Sequence, residues 1–432
     1  MRDSTEVRKT RYSFAGLLGA LLLLLTAFPY LQLMPSDSYT QPYGLLLGAL
    51  LFFMHGWPVL FRLALTDQIA LIGLAILGIA IFLVTCFPYT DPQEYKYLIS
   101  YLSPLLLTIP LFRYLRHDPT IALRLLQFSI LLWIVVAIIQ KFIDPNFFLF
   151  LIGQWSDSAP DIVQSGRGVL SLAPEPTHHA LHILLLASCL VLLDTSGHSR
   201  WVLLFCIVDA VLLAASASAI LVLGISGVVW LLCYRRRWLV VAAVFVAIGW
   251  LGGFIDHVPT SNDHRVGQLI SAVLADPPSL LTVDYSMNMR LGGMIAVVSE
   301  AFGNALVPYG MSLQAWETAR DGLLTDLPWL MDLSLVGPPS GIGVLLFQAG
   351  LFGAILIGLV FRRILSPSVG MLGRILLIAC PIIFLGQYYI SAPTFSLLYA
   401  CALFRLGHKP ARIMTKSNSS RTLVSAQLCP SR

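Results

Sequence analysis

Charge is what this sequence has least of. Only 11% of its 432 residues are Asp, Glu, Lys or Arg, against about a quarter in soluble domains, so a soluble globular class is excluded. Cysteine is sparse: of seven, Cys86, Cys189, Cys206, Cys233, Cys380 and Cys401 fall inside apolar runs and Cys429 lies in the C-terminal tail. Neither a disulfide framework nor a CxxC metal site follows from such positions. No Walker A motif and no dinucleotide fingerprint occurs, so a cytoplasmic nucleotide is not the expected energy source and no cofactor is expected. No internal repeat of the kind that marks many secondary transporters is visible. The formal net charge is +5. In so apolar a chain its distribution matters more than its sum, and no nucleic-acid partner is expected.

Apolar surface dominates instead, with 57% hydrophobic residues and a mean hydropathy of +0.81. A spanning helix needs about 20 apolar residues. Such runs predict twelve spans, at 12–33, 43–61, 69–88, 97–112, 125–143, 180–194, 201–216, 218–234, 238–255, 340–361, 372–390 and 393–405. Arg2, Arg8, Lys9 and Arg11 ahead of the first run imitate a secretory signal. The run is long and lacks a small-x-small cleavage site, so a retained first helix is expected.

Charge asymmetry orients these spans. With a cytoplasmic N-terminus, all of the 27 basic residues fall on the cytoplasmic side except Lys96, Lys141, Arg167, Arg265, Arg290 and Arg320. The positive-inside rule is obeyed, and both termini are expected in the cytoplasm. The reading is a single integral membrane domain over 1–432, with a cytoplasmic tail at 406–432. Two outward segments, 144–177 and 256–339, are too long for turns and too rich in apolar and aromatic residues for disorder. The working site is expected to face outward.

The first long loop ends in GRGVLSLAPEPTHHALH, Gly166 to His182. Pro176 suits the first position of a helix, which places Glu175 at its N-terminus. Glu175, His178, His179 and His182 then lie mostly on one helical face at the membrane boundary. Three readings are open. The cluster could be a solvated helix cap at headgroup level; Glu-x-x-His-His-x-x-His has ligand-like spacing for a metal; or Glu175 or a nearby histidine accepts a proton from a nucleophilic hydroxyl, the reading preferred here, with no metal.

Arg167 stands between Gly166 and Gly168, glycines that let the backbone approach a bulky ligand. In the second loop, Asp284–Arg290 leads into LGGMIAVVSEAFGNALVPYG, an amphipathic helix expected to end near Gly303, with a turn at Pro308–Gly310. Arg290, near its start, is either an interfacial anchor reaching for lipid phosphate or a clamp on a diphosphate. Guanidinium offers paired planar donors that lysine lacks. A charge pair at about 4 Å is worth on the order of 4 kcal/mol at an effective dielectric near 20, before desolvation. Two arginines, Arg167 and Arg290, could hold a departing diphosphate without a metal. Asp209 is an intramembrane carboxylate, suited to a coupling ion or to a hydrogen bond with a neighbouring helix, such as the serines within Ala214–Ala219. Pro338-Pro339-Ser340-Gly341 reads as the start of a helix.

Taken together, an outward Arg followed by a turn into PEPTHHA, a small-residue helix (LLAASASAILVL), and DYSMNMR with LVPYG ahead of the last helices resemble the O-antigen polymerase and ligase superfamily. The likeness covers roughly residues 125–400. Arg167 and Glu175 match a family Arg-x-x-Gly and Glu-Pro-Ser pattern in which Leu170 replaces the glycine and Thr177 the serine. Arg290 with Pro308, Tyr309 and Gly310 matches a second pattern, Arg followed by Pro-x-x-Gly. Ligases and protein O-oligosaccharyltransferases usually carry a His-Asn motif where this chain reads GPPSGIGVLLFQAGLFG, and that departure favours a Wzy-type polymerase.

The resemblance implies an all-α, GT-C-like fold of about twelve spans in a bacterial inner membrane. Residues 144–177 and 256–339 would then be periplasmic loops. It implies a glycosyltransferase that moves a glycan from undecaprenyl diphosphate to a hydroxyl of a lipid-linked repeat unit, in O-antigen, lipopolysaccharide or exopolysaccharide synthesis. Glu175, His178 and His179 are the catalytic candidates, and Arg167 and Arg290 the diphosphate-binding ones. Expected partners are the undecaprenyl-diphosphate-linked oligosaccharide, membrane lipids, a chain-length regulator and a flippase. The alternatives are a ligase or O-oligosaccharyltransferase, and a lipid-linked glycan flippase or transporter with Asp209 as its coupling group.

Overall fold

The apolar runs fold as helices. In the computed structural model, which describes residues 14–32, 40–87, 91–152, 168–233, 288–333, 337–386 and 388–407, α1 (Phe14–Ala27) and α2 (Tyr43–His55) precede α3 (Leu65–Thr85), α4 (Pro92–His117) and α5 (Pro119–Phe142). Past the first long loop come α6 (Pro176–Leu193), α7 (Arg200–Val208), continued by a π turn over Asp209–Leu213, and α8 (Ala217–Cys233). The second long loop supplies a π turn, Asn288–Gly292, then α9 (Gly293–Gly303) and α10 (Leu313–Asp326). The chain closes on α11 (Gly341–Leu365), α12 (Met371–Gly386) and α13 (Pro393–Gly407). Each expected span carries a helix except 238–255, which lies outside the described residues. Among the described residues there is no strand, only an isolated antiparallel bridge between Leu31 and Ile152.

Among the described residues five helices, α3, α4, α5, α6 and α11, are long and apolar enough to cross a membrane, while α1, α2, α8 and α12 are apolar but shorter. Local chemistry sets where they begin. Asp91 accepts from the Gln93 backbone N–H at 2.7 Å, and Glu94 reaches back to the Asp91 N–H at 3.0 Å, closing a capping box at α4. Proline occupies the first turn of α4, α5 and α6, where the missing N–H costs nothing. Ser340 caps α11 through Gly343 N at 2.9 Å, as its Pro-Pro-Ser-Gly start predicts.

Two helices form the centre. Nearly every residue of α6 and α13 is buried, and a helix that is apolar and covered all round can only sit inside other helices. They pack on each other, with α4 against α13 and α5 and α12 against α6. Apolar side chains left uncovered face outward from the outer helices, among them Leu50 and Phe53 of α2, Ile76 and Val84 of α3, Phe128 and Val135 of α5 and Phe352 of α11. Such a surface has lipid as its natural solvent.

The segment that supplies the ends of several helices gathers at one end of the bundle. Leu313 N donates to Glu94 at 2.9 Å and Met311 N to Thr85 Oγ1 at 3.0 Å, which docks the start of α10 onto α3 and α4. α9 and α10 share a small core of Val297, Trp316, Leu323 and Leu333 that closes over Phe347 of α11. At the opposite end, Asp67 accepts from Tyr399 at 3.0 Å and pairs with Arg363 at 3.1 Å, tying α3, α13 and α11 together.

Both long loops insert backbone at a break in a helix. α11 is interrupted at Gly350 (φ 55°, ψ −137°). Into that gap fits the strained turn after α9: Tyr309 N donates to Phe347 O at 2.9 Å, Gly310 N to Gln348 O at 3.3 Å, and Leu351 N to Leu306 O at 3.0 Å. Irregular backbone inside an apolar helix is tolerable only when its polar groups are paired, and the insertion supplies the partners that the broken helix lacks. Gly168 and Val169 do the same at the break between α7 and α8, where Val169 N meets Leu213 O.

Candidate functional site

Residues 168–174 are buried and non-helical, so every backbone donor and acceptor there needs a partner. Val169 N donates to Leu213 O at 3.0 Å. Ser171 N donates to Gln140 Oε1 at 2.6 Å, Gln140 Nε2 returns to Ser171 O at 2.9 Å, and Ser171 Oγ donates to Trp133 O at 2.8 Å. Gly168 has φ 94°, and a Cβ there would collide with the Ala214 carbonyl. The close approach that this glycine permits is therefore to a neighbouring helix break, where the sequence pointed to a ligand. Arg167, one residue upstream, lies outside the described residues.

This pinned segment delivers Glu175 as the N-cap of α6. Arg290 arrives from the other long loop, on the π turn ahead of α9. Asn288, fully buried, holds that turn by donating to Trp329 O and accepting from Met331 N, both at 2.8 Å. The result is an ion pair between Arg290 and Glu175, with the second guanidinium nitrogen of Arg290 donating to Thr177 Oγ1 at 2.7 Å. Both charged side chains are mostly covered, 25% and 23% exposed. Guanidinium has five N–H donors, so two engaged contacts leave capacity for a ligand.

The three histidines of α6 part company. His178, half-buried, lies beside the pair, its ring against Tyr30 and Tyr388 at centroid distances of 6.1 and 5.9 Å. His179 does not join Glu175. It is fully buried, stacked on Trp133 with ring centroids 5.6 Å apart, with Nε2 2.9 Å from Asp209 Oδ2 and Nδ1 3.3 Å from Val169 O. Both its nitrogens thus lie against oxygen atoms, one on a side chain and one on the backbone. His182 is also buried, its Nε2 2.9 Å from Ala27 O and its Nδ1 3.2 Å from Thr394 Oγ1. Among the described residues no group of three or more His, Cys, Asp or Glu side chains is placed to hold a metal ion.

Sequence reasoning did not find four parts of this arrangement. Tyr30, between α1 and α2, and Tyr388, between α12 and α13, share a hydroxyl–hydroxyl hydrogen bond of 2.6 Å, and Tyr388 donates to His178 O at 3.0 Å. Thr177 was noticed only as a replacement for serine, yet it binds Arg290. Asp209 was left between a coupling ion and a hydrogen bond to a neighbouring helix, with serines as the example, and its side-chain partner here is His179. Each π turn carries an ionisable residue, Asp209 in the buried pair with His179 and Arg290 in the pair with Glu175, and π turns of this kind are frequent at functional sites.

Compared with models of known protein families and with curated proteins, the chain matches none.

Proposed function

We propose that this chain is a polyprenyl-diphosphate-dependent glycosyltransferase of the Wzy polymerase type. It would be a GT-C-like inner-membrane protein of about twelve spans with both termini cytoplasmic and the site periplasmic. The observation that carries the reading is Arg290 bound to Glu175 and Thr177 at the N-terminus of α6. Two of the motif residues that suggested the activity, Glu175 and Arg290, thus meet from two loops, and a helix N-terminus adds its own attraction for an anion.

In this reading the diphosphate of the donor lipid takes the guanidinium of Arg290, with Arg167 as its second clamp, and competes with Glu175 for it. The carboxylate so released accepts the proton of the acceptor hydroxyl. The hydroxyl oxygen bonds to the anomeric carbon, the bond from that carbon to the diphosphate oxygen breaks, and its electron pair leaves with the diphosphate. Arginine stabilises the charge that develops there. His178 flanks the acceptor, and His179 holds the Gly168–Val169 segment ahead of Glu175.

One observation favours a second reading, a lipid-linked glycan flippase. Asp209 and His179 form a fully buried polar pair beside a helix break, the setting in which transporters bind coupling ions. Purified chain in liposomes with lipid-linked repeat units separates the two: elongation of the glycan is expected, and transbilayer movement without elongation would replace the polymerase reading with the flippase.

A further inference from the structure

Beyond the ion pair, α9 and α10 enclose an open cleft of about 520 Å³, within the roughly 300–1,000 Å³ usual for small-molecule sites. Its lining is mixed. Glu300 and Asp326 supply carboxylates, Gln314 an amide, Ser312 and Thr318 hydroxyls, and Tyr309 a ring. Tyr309 is braced from behind: Phe347 stacks on it with centroids 4.5 Å apart and planes 3° from parallel, and its hydroxyl donates to Glu300. The ring is thus fixed in orientation where it lines the cleft.

We propose that this cleft is a subsite for an uncharged or amino-bearing sugar of the glycan chain. Dense acceptors and donors around a fixed aromatic plane suit a polyhydroxylated ring, whose C–H face lies on the aromatic and whose hydroxyls bind at the rim. The charge of the lining decides the subclass. It contains two carboxylates and no Lys or Arg, so phosphate and uronic acids are repelled and a protonated amino group is attracted. Position agrees with the proposed polymerase, on which the inference rests. Arg290 and Glu300 lie ten residues apart at the two ends of one helical segment, about 15 Å at 1.5 Å per residue. A diphosphate at Arg290 would place sugars a few units along the chain at this cleft.

Calorimetric titration of the purified full chain in lipid nanodiscs tests this with three probes: the oligosaccharide released from the producing bacterium's own lipid-linked precursor, sodium pyrophosphate, and calcium chloride. The oligosaccharide is expected to bind saturably. Thr318→Trp, a bulky change at an exposed position, should weaken it at least tenfold while leaving pyrophosphate unaffected, and Gln314→Ala should weaken it less. Oxidising its primary hydroxyls to carboxylates should weaken it at least tenfold in the unaltered chain. Absence of oligosaccharide binding, binding indifferent to Thr318→Trp, or binding of calcium alone would each overturn the subsite. Pyrophosphate bound normally without the sugar removes only this inference; sugar bound without pyrophosphate removes the clamp and leaves the subsite standing.

Discussion

Arg290 and Glu175 lie 115 residues apart in the sequence and are ion-paired in the fold. Each is placed by bonds made elsewhere in the chain. Glu175 is set by the buried segment that begins at Gly168, and Arg290 by the Asn288 bracket on the 329–331 strip. A mostly covered pair between two such anchors has little freedom to lose when a ligand arrives, which is the condition under which charged groups act most strongly.

Arg290→Ala is expected to abolish long-chain polymer on a polysaccharide gel while the protein still accumulates in the membrane. Arg290→Lys keeps the charge but cannot reach Glu175 and Thr177 at once. Losing one charge-assisted hydrogen bond is worth on the order of 1.5–3 kcal/mol, so elongation should fall about ten- to hundredfold. A normal ladder in Arg290→Ala at matched expression rejects the clamp.

Asp194, the first residue beyond α6, gives a pH-dependent case. Burial pushes its carboxyl up, but donors outweigh it: Ser196 Oγ at 2.6 Å and the backbone N–H groups of Ser196 and Ser199, each at 2.8 Å, hold it below the ordinary carboxylate value. A carboxyl depressed by folding contributes stability that is present above its unfolded pKa, about 3.9, and is lost as pH falls through the lower folded value. Asp194→Asn should therefore cost on the order of 1–2 kcal/mol at pH 7. The gap between the two melting temperatures in detergent should narrow below about pH 4; a gap independent of pH would contradict the assignment.

What could be read from the sequence was local. Pro176 started α6, Gly303 ended α9, and Ser340 capped α11 where the residues predicted, because each signal acts within one turn. Glu175 and Arg290 were singled out separately, and their pairing was not, since nothing in either loop encodes the other's position. The partnership of His179 with Asp209 was hidden for the same reason. Tyr30 and Tyr388 stand 358 residues apart, and only tertiary folding brings their hydroxyls together. The break in α11 left a trace, Gln348 and Gly350 inside an apolar run, but glycine is common in membrane helices and does not announce a break.

That break is testable within one helix. Gly350 has φ 55°, and a Cβ there would meet the Leu306 carbonyl oxygen, so Gly350→Ala suffers both backbone strain and a clash with backbone. A loss of about 3 kcal/mol or more is expected, visible as a lowered melting temperature. Gly358, further along α11, has open space where a Cβ would go, and Gly358→Ala should leave stability unchanged. Equal effects at the two sites would mean that the insertion of Leu306–Gly310 does not depend on the break.

The buried pair of His179 and Asp209 is the point at which the enzyme and transporter readings part. Removing one partner of a buried charged pair costs on the order of 3–5 kcal/mol, while replacing both by apolar residues of similar volume can cost far less. Asp209→Leu should therefore fail to accumulate, and His179→Phe with Asp209→Leu should recover most of the loss. Recovery should stop short by about 1–2 kcal/mol, because the Val169 carbonyl loses its donor. Asp209→Asn is the sharper variant, since its amide oxygen still accepts from His179 Nε2 while the charge is gone. If the pair only holds the Gly168–Val169 segment in place, Asp209→Asn gives polymer of unchanged length at matched expression. Loss of polymer in a chain that melts normally would show that the charge itself is used, and Asp209 would then belong to ion or proton movement rather than to the scaffold beneath Glu175.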